Sequence, residues 1–414
     1  MRKYILFSTV LFVFFAACKT QTDNTTQTSN NIQQMPRSLQ NNMYAFDVFK
    51  ALHQQNSENM IISPFSISTA LAMTYGGARG ETADQMQKTL YFNENNESFH
   101  KGFSAWKEQI MALGHKNDQL QSANSLWAQE DFHFVEDFFQ LIEQYYQSSL
   151  YKVDYKNGDR EHIRKEINAW VSERTNNLID ELIKPGVLVE DTRLVLINAI
   201  YFLSQWKIAF DSSSTREDTF LVENGNSVKV PFMYMKDVLN YFENEKMQVL
   251  EMEYEGSDFS MVAVLPSENS SIGQLLEETQ GEDFWQMLEE MELQETEVLF
   301  PSFKTRSRFD LEDVLSAMGM PLAFTNKADF SGMTQENDLK IDKVIHEAYI
   351  DVNEEGTEAA ASTAVVMIRK TSTIDQEPVK VFRADRPFIY FIKENKSNTI
   401  LFLGKVTDPS VVDE

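Results

Sequence analysis

The chain has 414 residues, 42% of them hydrophobic, and carries a formal net charge of −26 with a pI near 4.7. The acidic balance excludes a nucleic-acid-binding function, because phosphate backbones are bound by basic patches. No Pro-, Gly- or Ser-rich linker divides the sequence after residue 42, and no internal repeat is visible. Composition therefore predicts one large domain with a substantial core, and we expect a monomer.

The N-terminus has the composition of a targeting segment. A basic pair, Arg2-Lys3, precedes an apolar run, Tyr4–Phe15, that is too short to span a bilayer comfortably. Two alanines and Cys18, the only cysteine in the chain, then close the segment. We predict a signal peptide over residues 1–17. The single cysteine excludes intrachain disulfides, so stability must come from packing.

The end of this segment, Phe15–Cys18, resembles a bacterial lipobox, in which the cysteine thiol is acylated and becomes the first residue of the mature protein. The resemblance predicts an exported protein whose acylated Cys18 inserts into a lipid bilayer, at the outer membrane or the cell surface. Two acyl chains anchor firmly where one is marginal. The alternative is an ordinary secretory signal that contains a cysteine by chance.

Residues 18–42 are rich in Thr, Gln, Asn and Ser, which predicts a flexible tether that holds a folded domain of residues 43–411 away from the membrane. Within the domain, apolar periodicity predicts helices over 43–54, 66–75, 83–90, 103–113, 132–146, 162–175, 272–291 and 311–318. Strands are predicted over 193–202, 228–241, 247–254, 259–265, 297–308, 344–352 and 379–391. Helices come first and strands dominate later, which is an α+β pattern.

A long segment of small residues lies between the last two predicted strands. Long loops inside a compact domain are uncommon and usually functional. In steps of two from Thr357 to Met367 the side chains are all small or apolar, whereas Glu358 starts the opposite face. Because strand side chains alternate between faces, the segment can join a sheet as an extra strand with Glu358 toward water.

Several motifs, in the same order and with agreeing spacing from Met43 to Pro409, resemble those of the serpin family of protease inhibitors. The matching segments are Asn59–Ile67 (NMIISPFSI), Gly77–Thr82 (GARGET), Leu194–Trp206 (LVLINAIYFLSQW), Glu354–Thr363 (EEGTEAAAST) and Phe382–Ile389 (FRADRPFI). The resemblance implies a serpin fold, with eight or nine helices packed on three β-sheets, a large central sheet and an exposed reactive-centre loop. It also implies an inhibitor and not an enzyme.

The resemblance locates the reactive bond. In inhibitory serpins the hinge glycine lies 14 residues before the attacked carbonyl, so Gly356 implies cleavage at Lys370–Thr371. A basic residue there fills the acidic pocket of a trypsin-like serine protease. Arg369, Ile368 and Met367 then occupy positions P2 to P4. The implied hinge residues are Glu354, Glu355, Gly356, Thr357, Glu358, Ala359, Ala360 and Ala361.

The implied mechanism is that of a suicide substrate. The protease forms an acyl-enzyme at Lys370, and the freed segment Thr357–Arg369 inserts as a new central strand before the acyl-enzyme hydrolyses. Attack after Val366, Met367 or Ile368 would extend the range to other proteases, cysteine proteases included. Such attack would also shorten the segment that can insert.

Further residues match a polar cluster under the central sheet, the shutter, and an aromatic position at the top of that sheet, the breach. The shutter residues are Ser63, Ser66, Asn198 and His346, and the breach residue is Trp206. Serine with histidine also suggests a hydrolase. We reject that interpretation because the sequence has no Gly-x-Ser-x-Gly elbow, and Ser63-Pro64 is typical of a helix start.

No cluster of His, Cys and carboxylates has metal-ligand spacing, and no Gly-rich phosphate loop is present, so we expect no cofactor. Basic residues are sparse between Lys101 and Lys116, so we expect no heparin activation. Two alternatives remain at this point. One is a non-inhibitory serpin-fold binding or chaperone protein, which the Thr and Ala hinge disfavours. The other is a surface lipoprotein that acts as an adhesin or a protease substrate.

Overall fold

The structure, a computed structural model, describes residues 35–93, 96–114, 119–223, 225–279, 286–335, 339–357 and 378–411. The helices are α1 (Arg37–His53), α2 (Pro64–Tyr75), α3 (Gly80–Thr89), α4 (Glu97–Met111), α5 (Glu136–Tyr146), α6 (Arg160–Arg174), α7 (Ile272–Glu278) and α8 (Glu312–Met318). Residues 286–289 are also helical, so the predicted helix over 272–291 is helical at both ends, with an extended residue at Thr279.

Fifteen strands are found in the described residues. They are β1 (Met60–Ile62), β2 (Gln119–Gln129), β3 (Leu150–Val153), β4 (Leu194–Gln205), β5 (Arg216–Leu221), β6 (Ser227–Glu243), β7 (Met247–Glu253), β8 (Phe259–Pro266), β9 (Glu292–Pro301), β10 (Phe303–Asp310), β11 (Lys343–Val352), β12 (Gly356–Thr357), β13 (Lys380–Arg383), β14 (Phe388–Glu394) and β15 (Ile400–Val406).

The six-stranded sheet has the order β10-β11-β12-β4-β2-β3. Its two central strands, β4 and β11, run parallel and pair directly, from Val195 with Lys343 to Tyr201 with Tyr349. Beyond Tyr349 the two strands separate, and the two residues of β12 lie between them. We call the boundary between β4 and β11 the seam, and its β12 end the upper end.

The other strands form one nine-stranded sheet, in the order β1-β15-β14-β8-β7-β6-β9-β13 with β5 paired to β6. The resemblance implies three sheets, whereas hydrogen bonding in the described residues joins the strands into two. The reason is β6, whose 17 residues pair with β5 and β9 over most of their length and with β7 only over Asn240–Glu243. The expected third sheet is thus the β5-β6-β9-β13 half of a continuous one.

Helix α1 begins at Arg37, six residues before the predicted domain start, so residues 37–42 belong to the fold and not to the tether. The polar side chains that suggested a tether are buried with partners. Asn41 donates to the carbonyl of Ile400 at 2.9 Å, and Asn42 donates to the carbonyl of Asn398 at 2.8 Å. A buried amide is tolerated where its hydrogen bonds are made, which composition alone does not reveal.

Two strand predictions need correction, and one strand and one helix start differ as well. The predicted strand over 297–308 is two strands that break at Ser302, and the predicted strand over 379–391 is β13 and β14. The eleven-residue β2 was missed, because Gln, Ser and Asn interrupt its alternation. The helix predicted over 132–146 begins only at Glu136.

Helix α2 lies at the centre of the molecule, and all twelve of its residues are buried. Its start follows from its sequence. Pro64 occupies the first turn, and the Ser63 hydroxyl caps the helix by accepting from the Ser66 N–H at 3.2 Å. The helix thereby presents Ser63 and Ser66 to the underside of the seam. Among the described residues, no helix is long and apolar enough to cross a membrane.

Candidate functional site

A buried polar cluster bridges the seam. His346 on β11 lies directly opposite Asn198 on β4, and the His346 Nδ1 is hydrogen-bonded to the Asn198 Oδ1. The Ser63 backbone N–H donates to His346 Nε2 at 3.0 Å, so Nε2 accepts and Nδ1 carries the proton. Complete burial lowers the pKa of His346 to about 3, which keeps the ring neutral.

The cluster continues beyond the seam through neutral amides and hydroxyls. Asn198 Nδ2 donates to Ser66 Oγ at 2.5 Å and also to the Oδ1 of Asn124. Ser122 Oγ accepts from Asn124 Nδ2 at 2.9 Å and lies 2.9 Å from Ser66 Oγ. The four predicted shutter residues therefore do meet. Asn124 and Ser122 belong with them, and their strand β2 was missed from sequence.

The same geometry is incompatible with a serine hydrolase. The Ser63 hydroxyl donates to the Leu401 carbonyl at 2.6 Å, and His346 accepts from the Ser63 backbone and not from its hydroxyl. A catalytic nucleophile needs its hydroxyl within reach of the base. In this cluster the histidine holds a helix start against a strand.

The upper end of the seam is closed by an aromatic pair. The rings of Trp206 and Tyr254 stack with centroids 4.6 Å apart and planes 9° from parallel. The Trp206 indole N–H donates to the Asn353 carbonyl at 2.9 Å, and the Trp206 backbone N–H donates to the Glu355 carbonyl at 2.8 Å. Trp206, the predicted breach residue, thus holds the chain that leads into the hinge.

Two hinge residues occupy the gap between the central strands. Gly356 pairs with Gln205, and Thr357 pairs with both Ser204 on β4 and Val352 on β11. Thr357 is fully buried, and its hydroxyl lies 2.7 Å from the hydroxyl of Tyr254. Tyr254 was missed from sequence, because a single aromatic residue at the end of a strand carries no distinguishing signal.

Gly356 is seated too closely for any side chain. A Cβ at this position would lie 2.2 Å from the carbonyl oxygen of Ser204 and 2.7 Å from the Cα of Gln205. Both are backbone atoms that cannot swing aside as a flexible side chain would. The hinge glycine is therefore the residue that allows the segment to approach β4 at the top of the seam.

Glu354 and Glu355 precede the glycine. The Thr215 hydroxyl donates to the Glu354 carboxylate at 2.7 Å. The predicted residues Glu358, Ala359, Ala360, Ala361, Met367, Ile368, Arg369, Lys370 and Thr371, and the lipidation residue Cys18, lie outside the described residues. The described ranges contain no group of His, Cys, Asp and Glu side chains that could hold a metal ion.

Comparison with known proteins agrees with this geometry. The profile of the serpin (serine protease inhibitor) family matches residues 39–409. An uncharacterized serpin-like protein of Thermococcus kodakarensis is 35% identical, with 99% of each chain covered. The leukocyte elastase inhibitor of Bos taurus is 38% identical over 90% of this chain and 99% of its own.

The fold also matches solved structures. Human thyroxine-binding globulin complexed with thyroxine superposes with a TM-score of 0.81 at 27% identity, over 90% of this chain and 98% of its own. The protein belongs to the serpin family, whose members are mostly protease inhibitors and not catalysts, although some are non-inhibitory. The predicted serpin fold is confirmed.

Proposed function

We propose that the protein is a suicide-substrate inhibitor of trypsin-like serine proteases, cleaved at Lys370–Thr371 and then closed by insertion of its reactive-centre loop into the seam. The observation that carries the proposal is the position of Gly356 and Thr357. These two residues already form the first step of an antiparallel strand between β4 and β11. The rest of the loop could extend this strand with the same neighbours, β4 and β11, and the same register.

Continuing that register leads to the shutter. Six residues forward from Thr357 is Thr363, six back from Ser204 on β4 is Asn198, and six back from Val352 on β11 is His346. An inserted strand would therefore place Thr363 between the two residues whose side chains now bond to each other across the seam. A threonine hydroxyl both donates and accepts, so it can replace the contact that insertion breaks.

The same register supports the rest of the segment. Thr357 faces inward, so in an inserted strand the small side chains of Ala359 and Ala361 would follow on that face. Val365 and Met367 would come opposite Leu196 and Leu194, which are buried in the main core. At about 25 cal/mol per Å2 of apolar surface, burying these two side chains contributes roughly 3–6 kcal/mol as an upper estimate.

Inhibition then follows from a competition in time. The protease serine attacks the Lys370 carbonyl, the peptide bond to Thr371 breaks, and an acyl-enzyme forms. Insertion moves the attached protease across the sheet and distorts its oxyanion hole, so hydrolysis of the acyl-enzyme stalls. The uncleaved protein is on this account kinetically trapped, with its most stable arrangement reached only after insertion.

The test is to mix the protein with trypsin and to look for a 1:1 adduct that survives boiling in SDS. N-terminal sequencing should show that the released peptide begins at Thr371. Lys370→Leu should weaken inhibition of trypsin, because the charge pair in the protease pocket is lost. Cleavage that moves to Arg369–Lys370 in this variant would show a loose register.

A loop that trypsin cuts without forming any adduct, with no adduct from other serine or cysteine proteases, would overturn the inhibitor proposal. A non-inhibitory function in binding or as a chaperone, or a role as a surface adhesin, would then replace it. The Thr and Ala composition of the hinge and the close seat of Gly356 support the inhibitor.

We further propose that acylated Cys18 anchors the protein to a bacterial membrane, at the outer membrane or the cell surface. Helix α1 begins at Arg37, so the 19 residue steps from Cys18 can span at most about 68 Å when fully extended. Cys18→Ser should move the protein from the membrane fraction to the soluble fraction and leave inhibition unchanged. Retention of the variant in the pellet after a carbonate wash would contradict the anchor.

A further inference from the structure

A connecting segment crosses the outer face of the seam. This connector, residues 175–193, joins α6 to β4. Its side chains Ile179, Leu182 and Ile183 are buried in one apolar cluster with Val195 and Ile197 of β4 and with Ile345 of β11. It therefore covers the region that an inserting strand would have to pass beneath.

The connector is fixed to the β4 side of the seam. Asn168 on α6 and Ile183 exchange two hydrogen bonds, of 2.8 and 2.9 Å, and Arg164 donates to the same Ile183 carbonyl at 2.9 Å. Asn176 donates to the Tyr201 hydroxyl on β4. Helix α6, the connector and β4 thus form one packed unit.

Two arginines tie this unit to the opposite side of the seam. Arg306 Nη2 donates to the Leu178 carbonyl, and Arg308 Nε donates to the Leu182 carbonyl. Both arginines lie on β10, which pairs with β11 along its full length. Arg306 also pairs with Glu347 on β11 at 3.0 Å, so its guanidinium is held on that side.

We propose that Arg306 and Arg308 form a latch across the seam, whose release sets the rate at which the loop inserts. The inference rests on the proposed insertion function. A new strand between β4 and β11 adds one strand spacing of about 4.8 Å. The β10–β11 pair must move away from the connector by that distance, and hydrogen bonds do not extend over it.

The latch acts on the uncleaved state and not on the inserted one. Hydrogen bonds from a charged donor are stronger than neutral ones, so the two contacts favour the closed seam. Weakening them should raise the rate of insertion while lowering the stability of the uncleaved protein. Weakening an ordinary stabilising contact elsewhere would lower stability without changing the rate of insertion.

Lys343 supplies the matched control. Its ammonium pairs at 2.7 Å with Glu312, the first residue of α8 just after β10, so this ion pair lies on the β10–β11 side and does not cross the seam. Lys343→Gln breaks an ion pair of similar exposure that does not cross the seam. Arg308→Lys keeps the positive charge but offers a different donor. Its rate of insertion should lie between those of the wild type and Arg308→Gln.

The experiment is to cleave the loop with a protease, or to warm the uncleaved protein, and to follow the appearance of a heat-resistant inserted form. Arg306→Gln and Arg308→Gln should convert about tenfold faster than wild type, which corresponds to about 1.4 kcal/mol in the barrier. Lys343→Gln should convert at the wild-type rate, although its melting temperature also falls.

Equal rates for Arg308→Gln and Lys343→Gln would overturn the latch and leave the inhibitor proposal intact. A wild-type protein that gains no heat resistance after loop cleavage would instead overturn insertion itself, and the latch with it. The two failures are therefore distinguishable by the behaviour of the wild type alone.

Discussion

The seam and the nine-stranded sheet are both buried, but they are held in different ways. At the seam, neutral side chains such as His346 and Asn198 bond to each other across two parallel strands. In the nine-stranded sheet, β8, β14 and β15 are buried along their whole length and pair antiparallel. The buried charge of Lys393 is paired there with Glu251 at 2.8 Å.

This difference indicates which pair of strands can separate to admit a new strand. Neutral hydrogen bonds between side chains can be exchanged for equivalent ones with a new strand, at little net cost. Separating a continuous apolar ladder exposes surface that nothing replaces, and breaking a buried ion pair leaves charges uncompensated. The seam is thus suited to part, and the nine-stranded sheet to stay closed.

The largest loss of inhibition is expected from the substitution Thr357→Arg. Thr357 is fully buried between β4 and β11 in the uncleaved protein, so an arginine in its place should leave the gap, and insertion would then have to bury the guanidinium at a cost of several kcal/mol. A rise of about 2 kcal/mol in the insertion barrier slows insertion about 30-fold. We expect a substrate in place of an inhibitor, measured as inhibitor molecules consumed per protease inactivated.

Glu358→Arg is the control for this variant, because the alternation of the proposed inserted strand would turn residue 358 toward solvent. It should leave the stoichiometry of inhibition nearly unchanged. Greater damage from Glu358→Arg than from Thr357→Arg would contradict the insertion register.

A core substitution in the nine-stranded sheet should lower the stability of the protein but leave inhibition intact. Leu403 on β15 is 1% exposed and lies in the main core. Leu403→Ala should lower the free energy of unfolding by about 2–5 kcal/mol, as denaturant titration of the folded variant would show. Its stoichiometry of inhibition should equal that of the wild type. A raised stoichiometry would mean that the two sheets are mechanically coupled.

Acid should destabilise the folded protein through buried neutral histidines such as His100 on helix α4. Burial, aided by Arg37 and Arg79, lowers the pKa of His100 from 6.5 to about 4. Between those values the unfolded chain binds a proton that the folded protein does not, so stability falls as pH falls from about 6.5 toward 4. Each such histidine contributes about 1.4 kcal/mol per pH unit.

His100→Gln should remove one proton's contribution to the dependence of stability on pH, because it removes the titrating imidazole. The glutamine amide can still bond to the Tyr146 hydroxyl, which lies 2.6 Å from His100 Nδ1. The measurement is the free energy of unfolding at several pH values between 4 and 8. An unchanged slope would show that His100 titrates normally in the folded protein.

The smallest effect is expected at Tyr254. Tyr254→Phe keeps the stack on Trp206 and removes the hydroxyl that bonds to Thr357. Loss of one neutral hydrogen bond costs about 1 kcal/mol, so the hinge residues should leave the gap roughly fivefold more often, which delays insertion and favours the substrate pathway. Tyr241→Phe, whose hydroxyl bonds to Glu243 in the nine-stranded sheet, should leave the stoichiometry unchanged.

Most of the fold could be predicted from the chain itself. The helix-start signal at Pro64 located α2, helix-compatible spacing located α6, and the apolar run at 193–202 predicted the buried strand β4. These elements could be predicted because each of them has a signal in its local sequence. The start of α1 and the strand β2 were not, because their polar residues are buried with partners far away in sequence.

The sequence by itself determined the family and the order of the motifs, and it predicted the hinge and the shutter residues. Only the tertiary structure decided that Asn124 and Ser122 join the shutter, that Tyr254 meets Thr357, and that Gly356 lies against the backbone of Ser204. Each of those contacts joins strands that are distant in sequence. Strand register, which no local pattern specifies, brings them together.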